Sequence, residues 1–156
     1  MSRVRVVFLG EDPRDPLQIA AADYLARAGR RYDGELVALK PSKRTKGSHD
    51  DRVRDAEADV LLGATDACTR VALDPLGKAL ASSEKFHELL EQLIARGKPV
   101  AFLVGGATGL HPRVVASSDR SLSLSSLTLA HRLAVLVLAE QIYRAAEIHR
   151  GGPYHK

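Results

Sequence analysis

The sequence predicts an α/β fold, a parallel-sheet α/β/α arrangement with helices on both faces of the sheet. Short apolar, β-branched runs alternate with stretches whose apolar residues recur at helical spacing, which favours parallel strands joined by crossover helices. The first run, RVRVVFLG, is typical of a strand buried on both faces. No internal repeat or linker divides the 156 residues, so one domain over residues 1–156 is expected.

The first half of the chain supplies two strands and two helices. A strand over residues 3–10 ends in a glycine, and two Asp-Pro pairs within residues 12–16 mark a turn and a helix start. Apolar residues recur at helical spacing over residues 17–28, and Gly29 ends this helix. Residues 35–39 form a second strand, residues 41–48 a basic loop, and residues 50–62 a second helix.

The second half continues the alternation. A third strand over residues 69–73 is followed by a turn over residues 74–78. Ser82 or Ser83 caps a third helix, which Gly97 ends. A fourth strand covers residues 99–104, His111 precedes a short helix, a fifth strand covers residues 121–125, and a long final helix begins at His131.

Composition narrows the class of protein. The longest apolar run, residues 133–139, has seven residues, whereas a membrane span needs about 20. No signal peptide is recognisable and Cys68 is the single cysteine, which together favour a cytoplasmic location. The net charge of +4, with basic residues crowded into residues 27–46, gives modest support for a polyanionic partner.

Three loops follow the carboxyl ends of predicted strands, where ligands bind in open α/β sheets. They cover residues 73–78, 105–109 and 124–129. The glycines of the second loop let a backbone approach a ligand closely, although a tight turn explains them equally well. This loop matches neither the GxGxxG fingerprint nor a P-loop. The hydroxyls of the third loop suit contact with a ligand that has polar edges, and they suit capping of the final helix equally well.

The final helix is apolar on every face over residues 133–139, as expected for a helix in the core or under a partner subunit. Glu140 and Arg144 are spaced for an i,i+4 ion pair. After a Gly-Gly-Pro break, Tyr154 can stack on a base, His155 can transfer protons and Lys156 can contact phosphate.

The six histidines show no metal-binding spacing, so no metal is expected. Three are interpreted as surface residues: His49, His87 and His149. Two open helices, where a structural role and a ligand contact are equally plausible: His111 and His131. No Ser-His-Asp arrangement or carboxylate pair can be argued from the spacing.

Several motifs occur in a fixed order: Leu73-Asp74-x-x-Gly77-Lys78-x-x-x-Ser82-Ser83-Glu84-x-Phe86, Phe102-Leu103-Val104-Gly105-Gly106-x-x-Gly109, Ser123-Leu124-Ser125-x-Leu127-Thr128-Leu129-x-His131, Glu140-Gln141-x-Tyr143-Arg144-Ala145 and Pro153-Tyr154-His155-Lys156. The ordered set resembles the RlmH family, the ribosomal large subunit pseudouridine methyltransferases of the SPOUT class. The resemblance covers essentially the whole chain.

This resemblance implies a C-terminal trefoil knot, an obligate homodimer and S-adenosyl-L-methionine as methyl donor. The residues that it implies for cofactor binding are Leu73, Gly105, Gly109, Leu124, Ser125, Ser126, Leu127, Thr128 and Leu129. The implied reaction methylates N3 of a pseudouridine in helix 69 of 23S rRNA on the assembled ribosome. Four residues would carry catalysis, with His155 as general base, Lys156 or Arg144 as anion contacts, and Tyr154 beside them. The tail of one subunit would reach the pocket of the other.

The sequence departs from the family pattern at three positions. Val135 stands where an arginine is common, Thr108 where the glycine loop often has an acidic or aromatic residue, and Lys156 where an arginine is common. These departures affect substrate positioning more than cofactor binding. The alternatives are a SPOUT methyltransferase acting on another RNA, a catalytically inactive ribosome-binding protein, and a small-metabolite enzyme.

Overall fold

Five parallel strands form one sheet at the centre of the computed structural model, which describes residues 2–41, 51–106 and 109–156. The strands are β1 (Ser2–Leu9), β2 (Tyr32–Leu39), β3 (Thr69–Ala79), β4 (Val100–Val104) and β5 (Arg120–Ser123). Their order across the sheet is β2-β1-β4-β3-β5. The parallel α/β prediction is therefore confirmed, while the trefoil knot stays a prediction.

Helices cover both faces of this sheet. They are α1 (Pro16–Arg27), α2 (Asp51–Ala64), α3 (Ser83–Ile94), α4 (Pro112–Ala116) and α5 (His131–Arg150), with a 3-10 turn at Ala28–Arg30 after α1. Helix α5 packs against α1 and α3, and α2 packs against α4. In β1, Val6 and Phe8 belong to the core under α1, α3 and α5, whereas Val7 belongs to the core under α2 and α4. This strand is buried on both faces, as predicted.

The predicted starts of α1 and α3 agree with the observed caps. The Asp15 carboxylate accepts hydrogen bonds from the backbone amides of Leu17 at 2.8 Å and Gln18 at 3.2 Å, and Ser82 rather than Ser83 caps α3. Gly151 ends α5 in the left-handed conformation, with a φ of 69°. Across residues 2–41, 51–106 and 109–156, no helix combines the length and the apolar character that a membrane crossing requires. The predicted basic loop lies mainly outside the described residues.

Strand β3 differs most from its prediction. The predicted strand end at residue 73 is wrong, because the chain shifts register after Leu73 and pairs again with β5 through Lys78 and Ala79. Gly77 permits this return: a Cβ at this position would lie 2.6 Å from the Ser121 hydroxyl and 2.7 Å from the amide nitrogen of Leu122. Residues 74–77 therefore bulge from the sheet beside β5.

Glu91 on α3 joins three elements. Its two carboxylate oxygens accept hydrogen bonds from Arg31 Nε at 3.0 Å and Nη2 at 2.7 Å, and His149 Nδ1 of α5 lies 2.9 Å from Oε1. His87 Nε2 lies 3.5 Å from the same oxygen. Burial alone would raise the pKa of Glu91, but the Arg31 guanidinium and the two histidines hold this pKa below its usual range.

We predict that Glu91→Gln lowers the free energy of unfolding by about 1–3 kcal/mol at pH 7, because a charged hydrogen-bond acceptor is lost. A carboxyl with a depressed folded pKa stabilises above its unfolded pKa, and this contribution disappears as pH falls through the folded pKa. The difference between wild type and variant should therefore shrink below about pH 4. Urea denaturation at pH 7 and pH 3.5 measures it.

The matched control is Glu88→Gln on the same helix, which removes an exposed carboxylate that pairs with the exposed Lys85 at 3.0 Å. Such a surface pair contributes roughly 0–1 kcal/mol. An equal loss in both variants, or a loss at Glu91 that does not depend on pH, would contradict the proposed role of Glu91.

Candidate active site

One cavity opens at the carboxyl edge of the sheet, where β3 bulges after Leu73, β4 ends and the segment after β5 begins. Its lining includes eight of the nine residues predicted to bind a cofactor, with Ser126 absent from it: Leu73, Gly105, Gly109, Leu124, Ser125, Leu127, Thr128 and Leu129. The other lining residues are Asp74, Pro75, Val104, Gly106, Leu122, Ser123, His131 and Ala134. The three loops thus meet around one space, as expected for a parallel sheet.

The loop after β4 folds back closely on itself. Gly106 and Gly109 form a bridge, in which the Gly109 amide donates to the Gly106 carbonyl at 3.0 Å. A Cβ on Gly105 would lie 2.6 Å from the carbonyl carbon of Gly109 and 2.7 Å from the amide nitrogen of Leu110. Glycine is therefore required at residue 105 for this wall of the cavity. Thr108 lies outside the described residues.

The segment after β5 is shaped by its own hydroxyls. Ser123 Oγ donates to the carbonyl of Ser125 at 3.0 Å, and Ser125 Oγ accepts from the amide of Leu127 at 2.9 Å. Leu127 itself is 75% exposed. The alternative role for these hydroxyls, capping the final helix, is wrong, because Ala130 occupies the N-cap position and no side chain caps α5.

Asp74 is the acidic residue of the cavity lining and gives the lining a negative charge. Its Oδ1 accepts from the amide of Leu76 at 3.1 Å, which holds the carboxylate in the bulge. Burial and the nearby Arg132 lower the pKa of His131, another residue of this lining, so its imidazole is neutral at pH 7. A lining that combines a carboxylate, a neutral imidazole and apolar walls suits a ligand that carries a positive charge.

The tail that ends in Lys156 packs back along α5. Tyr154 Oη donates to Glu140 Oε1 at 2.8 Å, and Arg144 donates to the same oxygen from Nη2 at 2.6 Å, which confirms the predicted ion pair. The Tyr154 and Tyr143 rings meet edge to face at 4.7 Å. Burial, followed by the hydrogen bond to Glu140, raises the pKa of Tyr154, so its phenol stays protonated.

His155 is held from both sides of its ring. Arg144 Nη1 lies 3.1 Å from Nδ1, and Nε2 lies 2.6 Å from Glu84 Oε1. Since a guanidinium only donates, Nδ1 is the acceptor and Nε2 carries the proton that Glu84 accepts. The hydrogen bond from His155 is the main cause that lowers the pKa of Glu84. The lone pair of His155 is on Nδ1, so His155 can act as a base only after the contact with Arg144 opens.

The tail residues do not line the cavity of their own chain. Arg144, Tyr154 and His155 come together beside α3 and α5, while exposed Lys156 extends beyond them. The predicted catalytic group and the predicted cofactor group thus form two separate clusters within the described residues.

A third cluster consists of His87, Glu91 and His149, whose ligand atoms lie within 4.8 Å of one another. Their proximity corrects the interpretation of His87 as a surface residue, since its side chain is 19% exposed. Both oxygens of Glu91 already accept from Arg31, and the guanidinium charge opposes a divalent cation. We interpret the cluster as an ion-paired hub between α3 and α5.

Comparison with known proteins decides the family. A family model described as "Predicted SPOUT methyltransferase" matches residues 2–155. The ribosomal RNA large subunit methyltransferase H of Anaeromyxobacter sp. (strain K) is 41% identical over 155 residues, which cover 99% of both chains. The enzyme of the same name from Methylobacillus flagellatus is 32% identical over 154 residues, again 99% of both. The chain belongs to the RlmH family of SPOUT methyltransferases.

Solved structures show the same fold. A probable methylase family protein from Haemophilus influenzae Rd KW20 has a TM-score of 0.58 at 16% identity, covering 98% of this chain and 70% of that one. The tRNA (m1G37) methyltransferase from Aquifex aeolicus has a TM-score of 0.57 at 13% identity, covering 92% of this chain and 70% of that one. At these identities the likeness concerns the SPOUT fold alone.

Three residues that hold the RlmH-type tail were not among the predicted site residues: Glu84, Glu140 and Tyr143. The spacing of Glu140 and Arg144 predicted the ion pair between them, but no local sequence pattern indicated that Tyr154 also contacts the Glu140 carboxylate. Glu84 is 71 residues from His155, and no periodicity connects them. Val135, the departure from the family pattern, is 1% exposed in the main core, whereas its neighbour Ala134 lines the cavity.

We predict that Glu140→Ala lowers the pKa of Tyr154 toward its usual range, because the acceptor and negative charge that favour the neutral phenol are removed. NMR of ¹³C-labelled tyrosine through alkaline pH measures this, with Tyr154→Phe identifying the resonance. Glu88→Ala, which removes an exposed carboxylate that pairs with Lys85, should leave the titration unchanged. An unchanged Tyr154 titration in Glu140→Ala would contradict the anchoring contact.

Proposed function

We propose that this protein methylates N3 of a pseudouridine in helix 69 of 23S rRNA on the assembled ribosome, using S-adenosylmethionine, in the cytoplasm. We further propose that residues 1–156 act as a single domain with a C-terminal trefoil knot. The proposal of an RNA substrate rests on the full-length similarity to an rRNA large subunit methyltransferase H, which is 41% identical over 99% of both chains.

The cavity supports the choice of methyl donor. SPOUT methyltransferases use S-adenosylmethionine, which supplies a methyl group on a sulfonium and so needs no metal for transfer. Asp74 offers a negative charge, the neutral His131 adds no competing positive charge, and the backbone near Gly105 can contact a ligand closely. The apolar Leu73 and Leu124 suit the uncharged body of the molecule.

We predict that Gly105→Ala weakens S-adenosylmethionine binding at least tenfold, because a Cβ at 2.6 Å from Gly109 must push the loop out of place. Isothermal titration calorimetry measures the change in Kd. Gly63→Ala is the matched control, since its Cβ would meet nothing within 4 Å. No heat of binding by the wild-type protein at tens of micromolar would overturn the methyltransferase proposal, and equal affinities would remove residue 105 from the site.

The proposed reaction requires a proton acceptor. N3 of pseudouridine carries a proton that must leave as the N–CH₃ bond forms, and His155 Nδ1 would accept it after its contact with Arg144 opens. Arg144 and Lys156 would then contact phosphate or the developing anion. The phenol of Tyr154, kept protonated, would pack beside them and orient the tail.

The separation of tail and cavity favours a site shared between two subunits. Because the cavity lacks its own tail residues, we propose that the tail of a partner copy completes it in a homodimer. Exposed Leu76 and Leu127, at 93% and 75%, lie in the bulge after Leu73 and on the cavity lining, and Leu133 on α5 is 37% exposed. A partner that covers these side chains would bury apolar area at the rim of the site.

We predict that His155→Ala and Gly105→Ala each lose most methyl transfer, about 10²-fold or more for His155, and that mixing them restores activity. In a shared site, each mixed dimer holds one intact pocket served by one intact tail. About a quarter of wild-type activity should therefore return after subunit exchange at equal amounts, by the statistics of random pairing. Transfer of labelled methyl groups to isolated ribosomes measures it.

Each variant alone, treated identically, is the control for this mixing experiment. If each site were built from one chain, both sites of the mixed dimer would be defective and no activity would return. Free 23S rRNA and tRNA are tested beside the ribosome: wild-type activity on tRNA alone would favour a SPOUT methyltransferase with another substrate. Cofactor binding without transfer to any of them would favour an inactive binding protein.

A further inference from the structure

A groove between the 3-10 turn after α1 and the last turns of α5 is walled largely by arginine. Its lining consists of Arg27, Arg30, Arg31, Ala146, Glu147, His149 and Arg150. Four guanidinium groups therefore face the single carboxylate of this lining, and His149 adds positive charge when it is protonated. We propose that this arginine groove binds the phosphate backbone of the RNA substrate. The inference rests on the proposed function, because it assigns part of that RNA to a surface away from the cavity.

The ion pairs that the arginines form within the protein leave the groove with a positive charge. Three of its arginines have a carboxylate partner: Arg31 with Glu91 at 2.7 Å, Arg150 with Glu147 at 2.5 Å and Arg27 with Asp23 at 3.5 Å. In the ion pair of Arg27 with Asp23, both side chains are exposed, so the interaction is weak. Arg30 is exposed and forms no ion pair among the residues that the structure describes. Arg27 and Arg30 are thus available to an external anion.

Two of the guanidinium groups, those of Arg27 and Arg31, are held in place before any ligand binds. Arg27 Cζ lies 4.4 Å from the centre of the Tyr143 ring and 5.2 Å from that of Tyr24. Arg31 is fixed by two hydrogen bonds to Glu91. Because planar arginines that are already ordered lose less conformational entropy on binding, the groove is prepared for bidentate contacts with phosphate.

The chemistry of the groove favours a nucleic acid over a protein partner. Protein interfaces depend on apolar and aromatic anchors at their centre. The exposed large apolar side chains of the described residues lie elsewhere: Ile19, Leu76, Leu127 and Leu133. Several guanidinium groups without such an anchor are typical of sequence-independent contact with phosphates.

The groove is continuous with the tail. The chain leaves the groove at Arg150, turns at Gly151 and returns to Tyr154, whose ring packs against Tyr143 at 4.7 Å. Arg27 covers the same Tyr143 ring. An RNA backbone held in the groove of one subunit would therefore run beside the tail proposed to serve the partner's cavity.

The test measures RNA affinity as a function of salt for the full chain and for Arg30→Ala. Fluorescence anisotropy is recorded with an RNA hairpin of the helix 69 sequence and with an unrelated hairpin of equal length. We expect Arg30→Ala to weaken both hairpins several-fold and to reduce the slope of log Kd against log salt concentration by about one. Lys98→Ala, which removes an exposed lysine from the turn after α3, should change neither quantity.

Unchanged affinity and slope in Arg30→Ala would overturn the groove proposal, as would a loss confined to the helix 69 hairpin, since backbone contacts do not depend on sequence. Calorimetry with S-adenosylmethionine and circular dichroism on the same variant confirm that the fold is intact. If the wild-type protein methylates ribosomes and Arg30→Ala binds RNA as the wild type does, the groove proposal is wrong and the proposed function is retained. Absence of methyl transfer by the wild type would instead contradict the proposed function.

Discussion

The parallel pairing of β3 with both β4 and β5 is the constraint on which the candidate site depends. Val71 and Ala72 are in register with Phe102 and Leu103 on one side and with Arg120 and Ser121 on the other. The bulge after Leu73 in β3 and the carboxyl ends of β4 and β5 are far apart in sequence, and this pairing brings them together at one edge. These segments therefore surround a common space, which is the cavity.

Two glycines make this arrangement possible at close range. Gly77 allows the bulge of β3 to return against Ser121, which leaves Asp74 in the cavity wall, and Gly105 allows the loop after β4 to close on Gly109. Both contacts involve neighbouring backbone, which cannot move aside as a flexible side chain can. The glycines that suggested a ligand site from sequence are thus also needed for folding of the site itself, and the two explanations are compatible.

Much of the fold follows from local patterns, because burial on both faces of β1 and the capping of α1 by Asp15 leave direct signals in the sequence. The cavity loops could be predicted for the same reason, as parallel strands place them together. The second half of β3 could not, since its pairing depends on Gly77 meeting a strand over 40 residues away. The contact of Glu84 with His155 also lacks any periodic signal, and the tail acquired a role only through its resemblance to a family.

The position of the tail has a mechanistic consequence. His155 has both ring nitrogens occupied by Arg144 and Glu84 when it packs on its own chain, so its lone pair is not available for a substrate proton. The same contacts keep the imidazole oriented and beside a cation. Movement of the tail toward a partner's cavity would exchange the Arg144 contact at Nδ1 for the substrate, and the histidine would become a base only where the pocket is complete. Sharing the site between subunits would thereby couple proton transfer to assembly.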